Sequence, residues 1–81
     1  MTELVVDWPC LVDDLRRAGV SMYAAAPLVG ISRSQLTAYA SGIHTPTHAA
    51  GERLIAFWCG TTSRTRESLP MTRPTLSASK V

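Results

Sequence analysis

Four times along this chain a side chain suited to capping a helix is followed by a short run of helically spaced apolar residues and then by a glycine: Asp7 to Gly19, Ser21 to Gly30, Ser32 to Gly42 and Thr47 to Gly60. Ser, Thr and Asp accept hydrogen bonds from the free N–H groups of a first helical turn, and glycine takes the left-handed conformation that closes a last one. This punctuation leaves room only for short helices, which must bury their apolar stripes against one another. The first helix has Pro9 in its opening turn and a stripe of Trp8, Leu11, Val12 and Leu15. Its Asp13 and Asp14 come early and its Arg16 and Arg17 late, as the helix dipole favours. The second runs from Met22 to about Val29 around Ala24-Ala25-Ala26, with Pro27 predicting a kink or a shortened helix. The third runs from Arg33 to about Ser41, with Leu36 and Tyr39 inward and Ile31 packed just before them. The fourth, about His48 to Trp58, directs Leu54, Ile55, Phe57 and Trp58 mostly to the core. Met1–Val6 is either a short strand or an unstructured lead-in.

A chain of 81 residues with 46% hydrophobic composition makes one domain with a modest core and is too apolar to be disordered. No apolar run is long enough for a membrane span, and Thr2-Glu3-Leu4 does not begin a secretion leader, so a cytoplasmic protein is expected. Two cysteines, Cys10 and Cys59, are too few for a disulfide scaffold and read as buried core thiols. Among the aromatic residues, Trp8, Tyr23, Tyr39, Phe57 and Trp58 read as core. Trp58, next to Phe57, is the first candidate for an exception, and an exposed Trp at that helix end would mark an oligomer interface. Charge is divided unevenly. Residues 1–14 hold Glu3, Asp7, Asp13 and Asp14 and no base, while all eight Lys and Arg lie downstream with only Glu52 and Glu67. Such asymmetry suits a domain that sets one face on a polyanion. The division expected is a domain at 1–60 and a basic Ser/Thr/Pro-rich tail at 61–81 with Arg64, Arg66, Arg73 and Lys80. That tail is either flexible or, through Leu69-Pro70-Met71 and Leu76, a short ordered segment that packs or dimerises.

The segment Ser21–Gly42 places two short helices on either side of the turn Val29-Gly30-Ile31-Ser32, which is a helix-turn-helix arrangement. Small Ala26 suits a close helix crossing, Gly30 supplies the turn conformation, and Val29, Ile31, Leu36 and Tyr39 fix the angle between the helices. Arg33, Ser34, Gln35, Thr37 and Ala38 are left facing outward. No nucleophile elbow, phosphate loop or paired-carboxylate site occurs, so no enzyme activity and no small-molecule substrate are expected. His44 and His48 with Cys10 and Cys59 lack the tight local pairs of a metal site, so neither metal nor cofactor is expected.

Ser21, Ala26, the Val29–Ser32 turn, Leu36, Tyr39 and the closing Ser41-Gly42 resemble the phage Cro and repressor type of helix-turn-helix, the XRE family. The resemblance continues through Thr45-Pro46 to Ala50-Gly51-Glu52-Arg53-Leu54 and covers about residues 10–58. It implies an all-α, compact four- or five-helix, lambda-repressor-like domain that binds double-stranded DNA in sequence-specific fashion and regulates transcription. Ser32, Arg33, Ser34, Gln35, Thr37 and Ala38 stand where members face the DNA. Arg33 would contact guanine, Gln35 adenine or phosphate, and Thr37 and Ala38 a thymine methyl. Ser21 and Met22 open the second helix at the phosphate-contacting end, although Met22 stands where many members carry a hydrogen-bonding Gln. His44 and Thr45, in the loop after Gly42, are phosphate candidates. A homodimer on a palindromic operator is expected, with half-sites about 34 Å apart and an interface drawn from Phe57, Trp58, Leu69 and Met71. Two alternatives stay open: a protein-interaction module on the same fold, antitoxin-like or anti-regulator, and an accessory whose basic tail binds nucleic acid without sequence choice.

Overall fold

All four expected caps form. Asp7 Oδ1 accepts from the Cys10 N–H (3.1 Å), Ser21 Oγ from Ala24 (3.1 Å), Ser32 Oγ from Gln35 (3.2 Å) and Thr47 Oγ1 from Ala50 (3.3 Å). They open α1 (Trp8–Arg17), α2 (Met22–Val29), α3 (Arg33–Ser41) and α4 (His48–Thr62) in a computed structural model that describes residues 4–73. Gly19, Gly30 and Gly42 adopt positive φ at the ends of α1, α2 and α3, as the sequence led one to expect.

The core gathers around α1, whose Leu11, Val12 and Leu15 are fully buried against α3 and α4. Leu36 and Tyr39 of α3, Met22, Ala25 and Val29 of α2, Ile31 of the turn and Leu54, Ile55 and Trp58 of α4 complete it. Trp8 lies half-buried over Gly51, where an added Cβ would come within 3.1 Å of the indole. A glycine inside a helix costs about 1 kcal/mol relative to alanine; here it lets the ring approach the α4 backbone. Pro27 neither breaks nor shortens α2, which stays continuous to Val29.

Trp58 lies in the core as its place on α4 predicts, and is not the exposed exception that an oligomer contact would need. It is fully buried, and its indole N–H donates to Asp14 Oδ2 at 3.1 Å. A buried Trp needs such a partner for its one polar atom. The same carboxylate oxygen lies 3.8 Å from the Arg64 guanidinium, which in turn sits 5.8 Å from the centre of the indole ring. This clamp carries α4 past Gly60, where the sequence would stop it, to Thr62, and Ser63 takes the left-handed turn instead.

From Ser63 to Arg73 the chain belongs to the fold. Arg66, in a 3₁₀ turn at Arg66–Ser68, makes two hydrogen bonds to the Glu52 carboxylate (3.0 and 3.1 Å), and Leu69 packs half-buried against the core. Strand β2 (Met71–Thr72) then pairs antiparallel with β1 (Val5–Val6), Val5 opposite Thr72 and Val6 opposite Met71. The Asp7 N–H closes the ribbon on the Pro70 carbonyl at 2.8 Å. The mostly helical architecture thus carries a two-stranded addition, and the boundary expected at residue 60 corresponds to no break. Leu76 and Lys80 lie outside the described residues. Cys59 is half-buried, whereas Cys10 is exposed and not the core thiol expected. No helix among the described residues is long and apolar enough to cross a membrane.

Two outcomes follow from these anchors. Asp14→Ala should lower the unfolding free energy by about 1–2 kcal/mol by orphaning the indole N–H, while Asp14→Asn, which keeps an acceptor, should lose less; urea denaturation reads both. The Arg66 hydrogen bonds hold the Glu52 carboxyl below the ordinary glutamate range. A carboxyl whose pKa is depressed by folding stabilises the native state above its unfolded pKa and loses that contribution as pH falls through the folded value. Denaturation midpoints followed into acid should therefore fall less steeply for Glu52→Gln than for the parent, by a small margin because both partners are half exposed.

Candidate nucleic-acid interface

The geometry of this face begins at the last turn of α2. Gly30, at φ 69° and ψ 31°, lets both its own N–H (3.0 Å) and that of Ile31 (3.2 Å) reach the Ala26 carbonyl. This is the double closure of a left-handed C-cap, with the following apolar residue, Ile31, packed into the core. The Val29 carbonyl, which has no partner within the helix, accepts from Arg53 Nε of α4 at 2.8 Å. A single side chain therefore ties α4 to the turn that joins α2 and α3. Nothing crowds a Cβ at Gly30, whose nearest neighbour would be Arg53 Nε at 3.7 Å, so the requirement for glycine there is conformational.

Leu36 and Tyr39 seat α3 on the core, and its opposite face is polar. Arg33, Ser34, Gln35 and Thr37 are exposed and Ala38 is half-buried at the margin. Ser41, exposed on the same side as Ser34 and Thr37, extends the stripe. Its spacing of four from Thr37 and seven from Ser34 is the signal in the sequence that places it there, although the Ser41-Gly42 pair marks it first as a helix end. The hydroxyls are internally committed as donors: Thr37 Oγ1 donates to the Arg33 carbonyl and Ser41 Oγ to the Thr37 carbonyl, each at 2.9 Å. Their lone pairs are left outward as acceptors. Ser32 and Ser34 hydroxyls lie 3.3 Å apart. Arg33 and Gln35 supply the donors, so the face presents both halves of a hydrogen-bonding code.

The remaining candidates divide. Ser21 is exposed at the start of α2, with its oxygen already accepting from Ala24. His44 and Thr45 are exposed in the loop after α3. That loop meets the ribbon around a depression of about 230 Å³ shared with Asp7, Pro9 and Arg73. Met22 is only 8% exposed and faces the core, so it is withdrawn from the interface. Its neighbour Tyr23, expected in the core, is 76% exposed, and the Arg33 guanidinium lies 5.4 Å from its ring centre. Of the residues expected at a dimer interface, Trp58 is buried, Phe57 and Leu69 are half-buried against the core, and only Met71 is exposed.

Charge on this face is sparse, since residues 21–42 hold one ionised side chain, Arg33. Several other arginines have partners: Arg17 pairs with Asp13 (2.9 Å), Arg64 with Asp14 and Arg66 with Glu52. No known protein family, curated protein or solved structure matches this chain.

The turn predicts its own weak points. Gly30→Val should lower stability by about 2 kcal/mol, because a β-branched residue is strained at positive φ. Arg53→Ala should cost about 1–2 kcal/mol, since a carbonyl loses a charged donor. Chemical denaturation measures both, and the two effects should fall short of additive because they act on one turn.

Proposed function

We propose that this protein binds double-stranded DNA with sequence preference, setting α3 in the major groove as a lambda-repressor-like helix-turn-helix, and that it regulates transcription in the cytoplasm of a bacterial or phage-infected cell. The observation that carries this reading is the exposed stripe of Arg33, Ser34, Thr37 and Ser41 on a short helix whose angle is fixed by the Gly30 closure and the Arg53 bond. A protruding helix held at a fixed angle is what groove insertion needs. In this reading Arg33 meets guanine O6 and N7, Gln35 an adenine or a phosphate, and the Thr37 and Ala38 methyls a thymine methyl. Ser21, Ser32, His44 and Thr45 serve the phosphates. One module of this size reads few base pairs, so it acts as a homodimer on a two-fold operator with half-sites about 34 Å apart. With Trp58 buried, Met71 on the ribbon is the exposed candidate left for that contact.

A second reading has an observation of its own. The outward side of α2, with Tyr23, Ala24, Pro27 and Leu28 all exposed, is uncharged, which suits a protein partner.

Selection of bound duplexes from a random pool separates the two. The DNA reading predicts an enriched palindrome and an affinity that falls with salt; no enrichment even at low salt overturns it. Arg33→Ala should weaken binding to the selected site by about 1–3 kcal/mol and relax the choice at one base pair of each half-site.

A further inference from the structure

Tyr23 and Arg33 form a pair that the fold does not require. Tyr23 is the second residue of α2 and is 76% exposed; Arg33 is the first of α3 and also exposed. The turn brings them together so that the guanidinium carbon lies 5.4 Å from the ring centre. Among the described residues the Arg33 guanidinium makes no hydrogen bond or ion pair. The contact recorded for it is with the Tyr23 ring. A guanidinium at this distance from a ring centre is attracted to the ring face, and that attraction consumes none of its N–H donors. A guanidinium restrained in this way with its donors uncommitted suits a bidentate acceptor such as the O6 and N7 pair of guanine.

We propose that Tyr23 is a positioning residue for DNA recognition: its ring pre-orients the Arg33 guanidinium and so sets a guanine preference at the base pair that Arg33 meets. The inference rests on the reading of α3 as the helix that enters the groove. Three consequences distinguish it from a role in packing or in general electrostatics. Phenylalanine should serve as well as tyrosine, since the stacking face and not the hydroxyl is used. Lysine should not replace Arg33, having a point charge and no plane. Changes at Tyr23 should leave binding to random duplex unaltered, because they do not touch the charge that governs it.

The test uses the duplex selected by the parent protein, a variant of it with the Arg33-dependent guanine replaced, and a random duplex. These are titrated against the parent, Tyr23→Phe, Tyr23→Ala, Arg33→Ala and the Tyr23→Ala/Arg33→Ala double variant. Tyr23→Ala should weaken binding to the selected duplex about fivefold while Tyr23→Phe stays within about twofold. The double variant should bind no more weakly than Arg33→Ala alone, and the affinity for random duplex and the melting midpoint should not move. In the free protein, the Arg33 side-chain proton resonances should lie upfield in the parent and in Tyr23→Phe and return to ordinary positions in Tyr23→Ala. If Tyr23→Phe loses as much as Tyr23→Ala, the hydroxyl is the working group and the proposal is overturned. It is overturned equally if the losses at Tyr23 and Arg33 add, or if Tyr23→Ala keeps the parent's affinity and guanine choice. A parent protein that selects no duplex at all refutes instead the reading of α3 on which the proposal rests.

Discussion

The hydrogen bond from Arg53 to the Val29 carbonyl is the point on which the face proposed to meet DNA depends. It spans 24 residues of sequence and joins the last helix to the turn between α2 and α3. The apolar contact between α2 and α4 is by itself non-directional and tolerates sliding. A hydrogen bond with one donor and one acceptor at 2.8 Å fixes direction as well as distance. The consequence reaches α3, because Ile31 and Ser32 follow at once and leave the chain no slack between the closure of one helix and the cap of the next.

The rest of the molecule holds that frame with few residues. A small core is marginal in a chain of this size, and the structure extends it by anchoring the chain after α4. Trp58 brings in Asp14, Asp14 brings in Arg64, and Arg66 on Glu52 leads Leu69 back to the core. The arginines that make the second half of the sequence look like a basic tail are in good part engaged in these contacts. What is left to meet a polyanion is less than the composition implied.

Features governed by neighbours in sequence were legible in advance. The four caps, the glycine closures at 19, 30 and 42, and the inward sides of α1 and α3 all follow from spacing within a single turn or two. The side of α2 that faces inward was not legible, and the reason is compositional: Met22-Tyr23-Ala24-Ala25-Ala26-Pro27-Leu28-Val29 has no charged residue to mark a wet side. Its rotation is decided by packing against α3 and α4, which buries Met22 and turns Tyr23 to solvent. That Trp58 is buried could be read from its place on α4, but its hydrogen-bond partner could not, since Asp14 is 44 residues away. At the site, the outward set from Arg33 to Ala38 could be read from helical spacing, whereas Tyr23 beside Arg33 and Arg53 behind the turn depend on tertiary contact. The ribbon, with two residues in each strand, is too short for any alternating pattern to announce it.

That ribbon has a kinetic meaning. Its two strands are separated by almost the whole described chain, so pairing them is a nonlocal closure whose entropic cost is met only once the helices are in place. It is a clasp over the helical core, made of few hydrogen bonds, with Met71 exposed within it and exposed Leu4 beside it. A pairing of two residues a side has few interactions to break, and such an element is expected to open at lower cost than the helices unfold. In its open form the protein would keep α1 to α4 while freeing strand edges beside the His44–Thr45 loop, a second native-like state at the margin of the face proposed to meet DNA.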